Sequence, residues 1–85
     1  MLLRMTQRSE GAHTVVAIAG HLVQEGVAEL ERLCQGVTSP LVLDLTDLRW
    51  VDAAGIMLLN TLADTGAQLR SVSPYIALLL GRSGE

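Results

Sequence analysis

The sequence contains no lysine and no phenylalanine, and it has only one tryptophan, one tyrosine and one cysteine among 85 residues. Six arginines stand against nine acidic residues, which gives a net charge of −3. Nucleic-acid binding needs clustered positive charge or aromatic rings that stack on bases, and this composition supplies neither. The sequence therefore predicts no nucleic-acid partner.

The cysteine content also limits the chemistry. Cys34 alone can form neither an intrachain disulfide nor a thiolate metal site, and His13 and His21 have no ligand cluster beside them, so no metal or other cofactor is expected. A single cysteine without a disulfide partner fits a reducing cytoplasm. Arg4 interrupts the apolar N-terminus, so no signal peptide is predicted, and no apolar run approaches the ~20 residues that span a bilayer. Direct membrane insertion is therefore not expected.

The hydrophobic pattern alternates between the periods of strands and helices. It predicts a single α/β domain over 1–85, with a mixed four-stranded sheet and three helices packed mainly on one side. Residues 48–51 are predicted to be a connection between elements. The predicted elements, in the order β-β-α-β-α-β-α, are 3–8, 13–19, 23–34, 41–45, 54–65, 67–72 and 75–80.

Local signals predict where the second and third helices begin. Asp52 is a predicted N-cap of the second helix, and Ser73 followed by Pro74 is a strong start for the third. The second helix is predicted to direct five residues inward: Ile56, Met57, Leu59, Leu62 and Ala63.

Four segments carry a recognisable pattern: 18–22 (IAGHL), 41–48 (LVLDLTDL), 51–56 (VDAAGI) and 66–70 (GAQLR) with Ser73-Pro74. In this order and spacing they resemble the STAS domain family, which includes sigma-factor regulators and sulfate-transporter domains. The resemblance covers roughly residues 13–84, and it implies the STAS fold. Family members act as anti-sigma-factor antagonists, as cytoplasmic tails of sulfate transporters and as small subunits of lipid-transport complexes.

The sequence departs from the family pattern at the residue whose phosphorylation regulates members of the sigma-regulating branch. In that branch the motif reads Asp-Ser-Ser-Gly or Asp-Ser-Thr-Gly, and a partner kinase phosphorylates the first hydroxyl residue. This chain has Asp-Ala-Ala-Gly at 52–55, so Ala53 stands at the phosphosite without a hydroxyl. The loop at 20–23 reads Gly-His-Leu-Val and lacks the carboxylate of Gly-x-Leu-Asp. The family usually adds a strand and a helix after the last predicted helix, and the sequence given stops at Glu85 before them, so either the domain is naturally short or the sequence is cut there.

The resemblance implies a docking surface formed by the loop 20–24, the turn 50–55 and the start of the second helix. Asp52 could be a helix cap, a partner contact or both, and Trp50 could be a binding hot spot or could close the core. Ala53 and Ala54 could form a docking face or simply allow close packing. The predicted partner contacts are His21, Gln24, Trp50, Asp52, Ala53, Ala54, Gly55 and Met57.

The predicted function is non-catalytic protein–protein recognition by a regulator that resembles an anti-sigma-factor antagonist and cannot be phosphorylated at the usual site. One alternative is a small STAS subunit of a membrane transport complex. Another is a small enzyme or ligand-binding domain that uses Asp44, Asp47 and His21, which would require a deep polar pocket between them. The apolar run 76–80 predicts an interface, either in a homodimer or with another protein.

Overall fold

The structure of this chain, a computed structural model, describes residues 3–38 and 40–81. Residues 1–2, 39 and 82–85 of the predicted domain lie outside the described residues. All seven predicted elements are present, and an eighth is added. In chain order they are β1 (Leu3–Glu10), β2 (His13–Leu22), α1 (Gln24–Gln35), β3 (Leu41–Asp44), β4 (Leu48–Val51), α2 (Ala53–Asp64), β5 (Gln68–Arg70) and α3 (Pro74–Leu80).

The sheet is mixed, with β1 at one edge and the order β1-β2-β3-β5. β1 and β2 form an antiparallel hairpin, whereas β3, β4 and β5 run parallel to their neighbours. The hairpin turn has Gly11 at its first position with φ of 61° and Ala12 without a positive φ, which is the sign pattern of a type II′ turn. The α/β class, the mixed sheet and the three helices are confirmed.

The sheet has one strand more than predicted, because residues 48–51 are not a plain connection. They form a strand, β4. Residues 14–17 of β2 pair with β3, and residues 20–22 of β2 pair with β4. The predicted end of β2 at Gly20 is wrong, since the strand continues to Leu22. Gly20 has φ of 92°, and the register with β4 shifts beside it, so this glycine bends the strand without ending it.

The core is aliphatic and lies between the helices and one face of the sheet. Alternate residues of β2 face it, as the two-residue period of a strand requires: Val16, Ile18 and Leu22. On α2, Leu58 and Leu59 are buried. The inward prediction for Met57 is wrong, because its side chain is 70% exposed. This helix is apolar on most sides, so its sequence alone does not select the buried face.

The opposite face of the sheet buries two valines beneath charged side chains. Val15 and Val42 are adjacent in register and almost fully buried. Arg8 pairs with Glu10 at 2.9 Å and with Asp44 at 3.7 Å. A third ion pair on this face joins Arg70 to Glu10 at 3.3 Å. The hydrogen bond from Arg8 is the main reason that the pKa of Glu10 lies below its ordinary value.

Candidate docking site

Asp52 connects the first turns of two helices. Its Oδ1 accepts a hydrogen bond from the Gly55 amide at 2.9 Å, so the predicted cap of α2 is confirmed. Its Oδ2 accepts a second bond, from the Gln24 amide at 2.9 Å. The N-cap of α1 is Val23, whose side chain cannot accept a hydrogen bond, and Asp52 supplies the missing acceptor from a distant part of the chain. The unsuitable N-cap was the only sequence signal for this second bond.

Gly55 allows the first turn of α2 to approach the end of β2. A Cβ atom at this position would lie 2.6 Å from the carbonyl oxygen of Leu22 and 3.2 Å from its Cγ. The Asp52 amide also donates to the Leu22 oxygen at 3.2 Å. Backbone therefore lies against backbone here, and only glycine fits without displacement.

The two bonds of Asp52 predict different effects for two substitutions. Asp52→Ala removes both acceptors and is expected to lower the free energy of unfolding by about 2 kcal/mol, the upper end for a lost cap. Asp52→Asn keeps one carbonyl oxygen for one of the two amides, so a loss of about 1 kcal/mol is expected. Urea unfolding of both variants checks the order. Equal stability of wild type and Asp52→Ala would contradict the proposed connection.

Ala53 is exposed at the first position of α2, and Ala54 beside it is half-buried. The position that was predicted from the resemblance to correspond to the family phosphosite therefore lies at the surface, at a helix N-terminus. Close packing does not explain the small side chain of Ala53, because solvent is available there. A partner could approach this position directly.

Trp50 does not close the core, because the residue is 45% exposed. It stacks against Tyr75 at the start of α3, with ring centroids 6.4 Å apart and planes inclined by 28°. Leu78 lies one helical turn after Tyr75 and is 75% exposed. We call Trp50, Tyr75 and Leu78 the apolar ridge. His21, half-buried, is paired with Trp50 in the register of β2 and β4.

The exposure of residues 75–80 differs from the predicted interface. Within the predicted interface 76–80, Ile76 and Leu80 belong to the core, and Leu78 is the exposed member. Tyr75 was not among the predicted contacts, although it is the only aromatic residue besides Trp50. The exposed Met57 on α2 remains available as a partner contact.

The comparisons with known proteins agree with this architecture. The family described as "Mlab, STAS domain" matches residues 5–81. The chain belongs to the STAS domain family. A crystal structure of an antisigma-factor antagonist, a STAS domain from Rhodobacter sphaeroides, is similar to this STAS domain with a TM-score of 0.62 and 16% sequence identity. The similarity covers 86% of this chain and 94% of the other. No curated protein matches the chain.

The fold of this STAS domain is thus shared with a protein described as an antisigma-factor antagonist. The described residues form a cavity of about 410 Å³ whose lining does not include Asp44, Asp47 or His21. That cavity lies at the C-terminal ends of α1 and α2, where its lining includes Cys34, Leu58 and Thr65.

Asp44 is held by its own turn. It accepts bonds from the Thr46 hydroxyl at 2.6 Å and the Thr46 amide at 3.0 Å, and these bonds hold the pKa of its carboxyl below the ordinary value. Cys34 packs in the hydrophobic core, and burial raises the pKa of its thiol. Residues 3–38 and 40–81 contain no cluster of side chains suited to a metal ion. In the same part of the STAS domain, every helix is too short or too polar to cross a bilayer.

Proposed function

We propose that this STAS domain is a non-catalytic docking module that binds its protein partner constitutively, as an unmodified anti-sigma-factor antagonist would. The observation that supports the proposal is Ala53, which is exposed at the first turn of α2, where the resemblance implies the phosphorylated residue of the family. A methyl group cannot accept phosphate. Binding is then set by shape and by abundance of the domain in the cytoplasm.

The proposed surface combines a rigid base with exposed apolar side chains. Asp52 and Gly55 fix the base, because they join the first turns of α1 and α2 to the end of β2. Trp50 and Met57 provide exposed apolar area, which is typical of binding hot spots. His21, Gln24, Ala53 and Ala54 complete the surface, and Tyr75 extends it.

Because Ala53 has no hydroxyl, it cannot carry the phosphate that a helix N-terminus would stabilise. A helix N-terminus stabilises negative charge, so a phosphate here would be well accommodated. It would add nearly two charges and considerable bulk to the docking face, which would release the partner. With alanine at this position, that release step is absent.

A second candidate is a fixed subunit of a membrane transport complex. The same observation favours it, because a permanent subunit needs no phosphate-driven release. The two candidates differ in the partner: a kinase-like anti-sigma factor for the first and a transporter ATPase for the second.

The experiment is co-purification of the tagged domain from its native host, with the retained protein identified by mass spectrometry. The purified complex is then incubated with labelled ATP, and Ala53→Ser serves as the matched control that restores a hydroxyl. We expect one stoichiometric partner and no label on the wild-type domain. A label on any residue of the docking surface in the wild type would contradict constitutive binding.

A further inference from the structure

β1 forms a sheet edge that is open on one side. Its eight residues pair with β2 in unbroken register from Leu3 to Glu10, and it pairs with no other strand of residues 3–38 and 40–81. It contains no proline and no bulge, two of the features that protect such an edge, and its charged residues are Arg4, Arg8 and Glu10. We propose that two copies of this chain pair antiparallel along β1. This interface is separate from the docking surface and does not depend on the proposed function.

The hairpin turn determines which backbone groups face outward. In a two-residue hairpin the residues that flank the turn, here Glu10 and His13, exchange hydrogen bonds, and bonded and non-bonded pairs then alternate along the ladder. The even-numbered residues of β1 are thus bonded to β2. The amide and carbonyl groups that point away from the sheet belong to Leu3, Met5, Gln7 and Ser9.

Among the registers that match these outward groups and pair most of β1, charge favours one. When the two-fold axis passes through Gln7, Arg4 of one copy lies opposite Glu10 of the other, and symmetry repeats this pair. When the axis passes through Thr6, Arg4 faces Arg8 instead. When it passes through Arg8, two copies of Arg8 face each other. The charges on the edge thus disfavour both neighbouring registers and favour the one centred on Gln7.

The charged groups are available for this pairing. Arg8 and Arg70 are already paired with Glu10 in the described structure, whereas Arg4 is in none of these ion pairs. The Glu10 carboxylate is exposed and has lone pairs for a further donor. Because one strand pair buries less than the roughly 1,200 Å² of a standard interface, a weak dimer that depends on protein concentration is expected.

The backbone prediction is tested by sedimentation velocity over a wide concentration range. Gln7→Pro removes an outward amide and leaves the bonds to β2 intact, so it is expected to give a monomer. Gln7→Ala is the matched control and should dimerise like the wild type. Thermal unfolding of each variant verifies that it folds. A wild type that is monomeric at every concentration would overturn the proposal.

The charge prediction uses two variants that should dimerise only with each other. Arg4→Glu and Glu10→Arg each place like charges opposite one another in a homodimer, and each is expected to raise the dimer dissociation constant about tenfold, equivalent to about 1.4 kcal/mol. Their mixture restores both opposite pairs and is expected to form a heterodimer. Arg32→Glu on α1 is the control for the equal change of net charge in Arg4→Glu. Dimers that survive Gln7→Pro but are lost in Leu78→Glu would assign the contact to α3 and overturn the proposal.

Discussion

Replacing Ala53 with glutamate is expected to weaken binding to the co-purified partner by about 30-fold or more. The position is exposed at the first turn of α2, in the middle of the proposed docking surface. A carboxylate there would be buried against the partner without a matching charge, which costs about 2 kcal/mol or more. In the free domain the same carboxylate lies at a helix N-terminus, where negative charge is stabilising, so the fold should be retained.

Ala53→Gln is the matched control, since glutamine has nearly the same size and no charge. Titration of both variants with the purified partner separates the effect of charge from that of bulk. A small loss for glutamine and a large loss for glutamate are expected. Equal affinities of wild type and Ala53→Glu would show that the partner binds elsewhere and would remove the basis of the proposed function.

Replacing Gly55 with alanine is expected to reduce the free energy of unfolding by about 1–3 kcal/mol, the usual cost of an inserted group in a packed site. The added Cβ would lie 2.6 Å from the Leu22 oxygen, and because this atom is backbone it cannot rotate away. The end of β2 or the first turn of α2 must shift. The bonds from Asp52 to both helices are expected to lengthen with it, so partner binding should weaken as well.

Gly36→Ala provides the comparison within the same chain. Its Cβ would lie 3.6 Å from the Leu33 oxygen, an ordinary contact, and its φ of −81° suits any residue. A change of at most about 1 kcal/mol is expected, with a stabilising sign because alanine restricts the unfolded chain. Urea unfolding of both variants tests the contrast. A Gly55→Ala protein as stable as Gly36→Ala would contradict the close approach of backbone to backbone.

Local signals in the sequence determined most of the fold. The period of the apolar residues identified seven elements in the correct order, and the short spacing of Asp52 to Gly55 and of Ser73 to Ile76 identified two helix caps, both present in the structure. These interactions join residues three positions apart, so they depend little on the rest of the chain. The missing hydroxyl at Ala53 is also plain from the sequence, although its effect on binding stays a prediction.

The tertiary structure alone decided which distant groups meet. Asp52 bonds to Gln24 across 28 positions, and Trp50 stacks on Tyr75 of α3. Both contacts form because the pairing of β4 with β2 places residues 50–52 beside the starts of α1 and α3. The direction of Met57 was decided in the same way, since α2 is apolar on most sides and only packing against the sheet selects its buried face. Periodicity specifies that a residue lies in a helix or strand, whereas its neighbours depend on how the elements are packed.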